Sequence, residues 1–199
     1  MKSKLLTGVV GVFFMICIAE AAPVEFTFSG TGTGIVDNTI SFTDTNFEVH
    51  IFGDTDCINT DEYSYYIVGM TGFITIDTVG NGDFTNSLYV FAHHSSVDSD
   101  GKYLLGFGAE PCCGDLISLR SDNPFSASDL KSNSGPFISR NYVFSQFYAA
   151  PTTMGSIGFT SMSPVMFTAK VDPVPVPAAA WLLGSGLVGL VGVRRKIKK

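Results

Sequence analysis

The sequence predicts an all-β domain, an antiparallel β-sandwich or its jelly-roll variant, flanked by two apolar ends. Three observations carry that expectation. Apolar and polar residues alternate with a period of two, as where Val24, Phe26 and Phe28 alternate with Glu25, Thr27 and Ser29, which is the pattern of a strand with one buried face. Turn signals rich in Gly, Asn, Asp and Ser separate such runs. Between Ala22 and Asp172 no amphipathic helical pattern of a dozen residues interrupts them.

Taken in order, the chain begins with Lys2 and Lys4 ahead of an apolar stretch over residues 5–18, followed by Ala19-Glu20-Ala21. A basic start, a short apolar run and small residues at the cut describe a secretory signal peptide over residues 1–21, removed after Ala21 by signal peptidase. Cys17 follows the bulky Phe14-Met15-Ile16, so a lipoprotein modification is not expected there. Residues 22–172 then form one exported domain, a length that supports a single core.

Within it, Phe47, Val49 and Ile51 alternate with Glu48 and His50, and β-like runs recur over residues 63–70, 73–79, 88–93, 103–107, 116–120, 142–148 and 165–171. Turns are expected at residues 30–34, 80–83, 98–101 and 132–136. Only residues 126–131 read as a short helical turn, capped by Ser126 or Ser128. Eight to ten short strands with frequent turns are the material of a sandwich.

Charge narrows the partners. The stretch from residue 22 to 173 holds five basic residues against seventeen acidic ones, a net charge of −12, while the whole chain carries −6. So acidic a domain is repelled by nucleic acid and by anionic membrane surfaces. It suits solubility outside the cell or the binding of cations.

The chemistry-bearing residues form no recognised catalytic constellation. Neither a G-x-S-x-G elbow nor an H-E-x-x-H zinc helix occurs, so no enzyme is expected. His93 and His94 are neighbours on a strand and point to opposite faces; His50 joins them only if the fold brings it there. Export leaves Cys57, Cys112 and Cys113. An oxidising compartment favours a structural disulfide joining Cys57 to Cys112 or Cys113, with a vicinal Cys112–Cys113 bond as the rival. No metal site is expected from these spacings. Calcium is the one cofactor left open, at Asp54-Thr55-Asp56 and Asp98-Ser99-Asp100-Gly101, although Asp and Gly are ordinary turn formers and Ala109 stands where an EF-hand loop starting at Asp98 needs its Glu. Strand-period aromatics are expected to fill the core; one member each of Tyr65-Tyr66 and Phe147-Tyr148 is expected to face solvent.

The last 27 residues have a character of their own. Pro173, Pro175 and Pro177 alternate with Val174 and Val176, residues 178–193 carry no charge, and Arg194, Arg195 and Lys196 open a basic tip. The prolines impose an extended segment. Sixteen uncharged residues make a helix of about 24 Å, close to the thickness of a bilayer core once flanking basic residues snorkel. The basic stop-transfer tip is expected on the cytoplasmic side of the inner membrane and the β-domain outside. Gly184, Gly186, Gly189 and Gly192 leave the helix thin enough for close approach by another helix.

This tail resembles a PEP-CTERM sorting signal: a Pro-x-Pro motif, a short Gly-rich apolar span and an Arg-rich end. Its Val174-Pro175-Val176-Pro177-Ala178 string resembles the VPLPA variant, with Val176 in place of Leu. The resemblance implies recognition near Val174–Ala178 by an exosortase-type membrane enzyme, in a bacterium that makes exopolysaccharide. It divides the chain into a signal peptide (1–21), an extracytoplasmic β-domain (22–172) and a sorting signal (173–199). The Phe26, Phe28, Gly30, Gly32 opening is similar to the variable cargo domains of such proteins, which transfers a destination and no chemistry. The expected function is that of a non-enzymatic protein of the cell surface or extracellular matrix. A carbohydrate-binding module that engages exopolysaccharide, and a surface protein that keeps its anchor, are the alternatives.

Overall fold

A computed structural model describes residues 21–95, 97–110, 114–125, 129–139, 142–144 and 149–172. Residues 1–20 of the signal peptide, the sorting motif, the apolar span and the basic tip lie outside the described residues. So do Cys112, Cys113, Phe147 and Tyr148.

Twelve antiparallel strands and one 3-10 turn make up the described chain: β1 (Pro23–Val36), β2 (Ile40–Asp54), the turn Thr55–Cys57, β3 (Ile58–Thr60), β4 (Ser64–Ile76), β5 (Gly80–Asp83), β6 (Ser87–His93), β7 (Tyr103–Glu110), β8 (Gly114–Ser121), β9 (Ser134–Ser139), β10 (Tyr142–Phe144), β11 (Ala150–Thr152) and β12 (Gly155–Val171). The all-β expectation holds. The sandwich expectation is corrected: the strands form one continuous sheet, ordered β10-β8-β7-β6-β4-β2-β1-β12-β11, with β9 also on β12. Along this path β8-β7, β7-β6, β2-β1 and β12-β11 are neighbours in sequence, and β6-β4 and β4-β2 each skip only one short strand, closer to a meander than to the crossed connections of a jelly roll.

β4 shows why one sheet replaces two. Residues 71–76 pair with β2, whereas residues 64–70 pair with β6. The register slips between Ile67 and Met70, where Gly69 has a φ of +77°. A bulge at a glycine bends the strand and strengthens its twist, so the two runs read separately as residues 63–70 and 73–79 are one strand turning a corner. Beyond it the sheet wraps around until β9 approaches β8. There Ser139 Oγ donates to the Arg120 carbonyl at 3.0 Å, and the sheet is nearly closed into a barrel.

A second correction concerns glycine. Residues 30–34 lie inside β1 and residues 80–83 form β5; neither is a turn. In β1 the missing side chains make room for aromatic rings. A Cβ at Gly32 would stand 2.7 Å from the Phe159 ring, and one at Gly34 2.6 Å from Phe42. Pairing shifts register at this stretch against both neighbours. The expected helical turn is also corrected where the chain is described: Leu130 is left-handed at φ 59°, and Asp129 Oδ1 accepts from the Lys131 N–H at 2.9 Å, an Asx turn instead of a helix start.

The period-two residues face inward as expected. Phe26, Phe28, Phe107 and Phe167 are fully buried, and the Phe28 ring lies 4.9 Å from Phe107 and 5.0 Å from Phe167, joining opposite walls. Burying one such ring stabilises the fold by roughly 1.5–3 kcal/mol. The two ends of the domain meet at one pole, where Val24 pairs with Val171 and the Asp172 N–H donates to the Pro23 carbonyl at 3.0 Å.

Candidate functional site

On β6, Leu88, Val90 and Ala92 point into the core, which sends Tyr89, Phe91 and His93 to the outer face. The facing residues of β7 are Gly108 opposite Tyr89 and Gly106 opposite Phe91. Bare backbone at Gly108 lets the tyrosine lie down on the sheet: a Cβ there would collide with the ring's hydroxyl end. Tyr89 thereby crosses β7 and donates its hydroxyl to Asp115 Oδ1 on β8 at 2.7 Å. On the other side Tyr66 pairs with Phe91 and Ser64 with His93. The Tyr89 and Phe91 rings are 6.2 Å apart, and Phe91 and His93 are 5.5 Å apart.

These rings floor an outer groove of about 370 Å³. Asp61, Glu110 and Asp115 contribute carboxylates to its lining, and no Lys or Arg is among the lining residues described. Asp61 also closes a turn, its Oδ1 accepting from the N–H groups of Tyr63 at 2.8 Å and Ser64 at 2.6 Å. The Tyr63 N–H first, then the Ser64 N–H, hold the Asp61 carboxyl below its ordinary range. A recumbent ring beside acceptor oxygens can stack an apolar ring face and accept hydrogen bonds from groups on that ring's rim.

The other residues singled out by sequence separate in space. His93 lines the groove, while His94 packs against Tyr65 at 4.8 Å between ring centroids. Tyr65 packs on the core and Tyr66 lines the groove, so that pair splits as expected. His50 is elsewhere, on the outer face of β2, its Nδ1 2.6 Å from Glu25 Oε1 and its ring stacked on Phe73 at 4.7 Å. Among the described residues no three His, Cys, Asp or Glu side chains converge as a metal site.

Each candidate calcium loop has carboxylates engaged internally. Asp54 Oδ1 accepts from the Asp56 N–H at 2.9 Å. Asp98 Oδ1 accepts from the N–H groups of Asp100 and Lys102, both at 2.9 Å, and Arg120 sets its two Nη atoms 3.0 Å from Asp98 Oδ2 and Asp100 Oδ2. Lys102 Nζ pairs with Asp122. Cys57 is exposed and has no disulfide partner among the described residues; both cysteines named as its partners lie outside them.

Tyr89, Phe91, Glu110 and Asp115 are groove residues that the sequence reading passed over. In Leu88–Ala92 both alternate sets are apolar, so period-two patterning leaves the outward set undecided. The available signal is the glycine pair Gly106 and Gly108 in β7, which leaves space for side chains from a neighbouring strand.

A second concavity of about 510 Å³ crosses β1, β2, β4, β9 and β12, where Asn46 Nδ2 donates to Asp77 Oδ2 at 2.9 Å beside Ile138 and Met166. It carries mixed polar and aliphatic residues, and its one aromatic ring, Phe47, is buried in the core.

The fold and groove define a class: an antiparallel, nearly closed β-barrel domain with an aromatic and acidic outer groove. No family model, no curated protein and no solved structure matches the chain. Among the described residues no helix is long and apolar enough to cross a membrane.

Proposed function

We propose that this chain is a non-enzymatic exported protein of the cell surface or extracellular matrix, sorted by a C-terminal signal that an exosortase-type enzyme reads and removes. The observation that carries this reading is the order of parts in the tail: Val174-Pro175-Val176-Pro177-Ala178, an uncharged stretch to residue 193, then Arg194, Arg195 and Lys196. The joined ends of the β-domain support it, because Pro23 and Asp172 share a hydrogen bond at one pole. A domain held through either end then turns that pole to the membrane and leaves the tail accessible to a membrane enzyme. Peptide mapping of the mature protein from its native cells tests this. A C-terminus near Val174–Ala178 is expected; recovery of peptides running through Trp181 to Arg194 overturns removal and leaves a lasting anchor.

A second reading, a carbohydrate-binding domain at the same surface, is favoured by the Tyr89 ring lying against the sheet beside Asp115.

A further inference from the structure

We infer that the groove over β4, β6, β7 and β8 binds an amino-bearing saccharide chain in preference to neutral or acidic ones; this rests on the carbohydrate-binding reading. Two independent features support the assignment. The first is shape: Tyr89 is laid flat by Gly108 and fixed by its hydrogen bond to Asp115, so a hydrophobic ring is held in place before any ligand arrives. Pre-ordering a stacking ring removes the side-chain entropy that binding otherwise costs. A pyranose presents one face of C–H bonds that covers such a ring, with its polar substituents directed outward along the rim.

The second feature is charge. Glu110 and Asp115 stand at the end of the groove where β7 passes to β8, and Asp61 at the end near His93. A sugar stacked on Tyr89 therefore has acceptor oxygens at both ends of its path, with no Lys or Arg in the described lining. A protonated amine gains charge-assisted hydrogen bonds from these oxygens. Uronic acid chains meet like charge, compounded by the −12 of residues 22–173. Neutral sugars keep the stacking and lose the charge contribution.

The test compares ligands that share one skeleton. Full-length protein in mild detergent is titrated calorimetrically with the β-1,4-glucosamine tetramer, its fully N-acetylated form and a tetrameric uronic acid. The glucosamine tetramer is expected to bind at least about tenfold tighter than the acetylated one at low salt, a charge-assisted hydrogen bond being the difference. That advantage is expected to shrink in 0.5 M salt through screening. Glu110→Gln and Asp115→Asn are expected to erase the preference by weakening glucosamine-tetramer binding far more than acetylated-tetramer binding, and Tyr89→Ala to abolish both. Thermal melting checks each variant's fold; if Tyr89→Ala does not fold, the two carboxamide variants decide the question alone. Equal binding of amino and acetylated tetramers overturns the charge selection and leaves a carbohydrate-binding groove. Absence of binding by every tetramer overturns the groove as a saccharide site altogether, and neither result touches the tail's fate.

Discussion

Tyr89 on β6 and Asp115 on β8 are hydrogen-bonded at 2.7 Å across an intervening strand, and they meet only because Gly108 lies between them. Adjacent strands are about 4.8 Å apart, so a side chain crossing one strand must lie along the sheet. Gly108→Ala puts a methyl group where the Tyr89 ring and the Gly114 carbonyl now sit. We predict a loss of about 1–3 kcal/mol, the usual range for overpacking, measured as a lower urea midpoint. Combining it with Tyr89→Ala is expected to recover part of that loss, since the Gly114 contact persists. Full additivity of the two changes sinks the account of the ring's position.

The aromatic core gives a second expectation. Phe28 is fully buried and touches rings from both β7 and β12. Phe28→Ala is expected to cost about 3–5 kcal/mol in chemical denaturation, the range for a buried ring replaced by a cavity. A loss near that of an exposed site, within about 0.5 kcal/mol, contradicts Phe28 as the bridge between the walls.

The seam of the barrel is expected to be its weakest join. Ser139 of β9 reaches the Arg120 carbonyl of β8 through a side chain, where the other strands are joined by backbone ladders. Ser139→Ala is expected to lower stability by about 0.5–1.5 kcal/mol, a typical net hydrogen-bond contribution. Hydrogen exchange should accelerate in β9 before the β1–β12 ladder. Uniform acceleration in all strands would mean that β9 does not open separately.

Acid is expected to destabilise the fold through two turns. The Lys102 N–H most strongly, then that of Asp100 and the positive charge of Arg120, hold the Asp98 carboxyl below its ordinary value of 3.8 against the opposing effect of burial. Asp61 is lowered by its own turn. A carboxyl whose folded pKa is depressed contributes stability above its unfolded value and loses it as pH falls through the folded one. Stability is therefore predicted to fall below pH 3.8, and Asp98→Asn should flatten that decline. Identical slopes against pH in the two proteins would falsify the assignment to Asp98.

Much of this was legible in residues alone because local geometry is covalent. Successive side chains on a strand alternate faces, which settled that Val24, Phe26 and Phe28 share the core and that Tyr65-Tyr66 and His93-His94 divide between two sides. Charge balance is likewise a property of composition, and the acidic groove lining agrees with it. The order of parts in the tail is sequence information of the same kind.

Tertiary structure decided what local pattern leaves degenerate. A glycine-rich stretch serves equally as a turn or as a strand making room for its neighbours, and packing against Phe42 of β2 and against Phe159 and the Gly158 and Pro164 carbonyls of the sequence-distant β12 selects the second for residues 30–34. The two runs in β4 became one strand because β2 and β6 pair with its separate halves. The outward set of β6 was chosen by long-range register, which turned Leu88, Val90 and Ala92 to the core and laid Tyr89 over Gly108. Register and closure are agreements between strands far apart in the chain, so the groove exists only once the sheet has wrapped around its core.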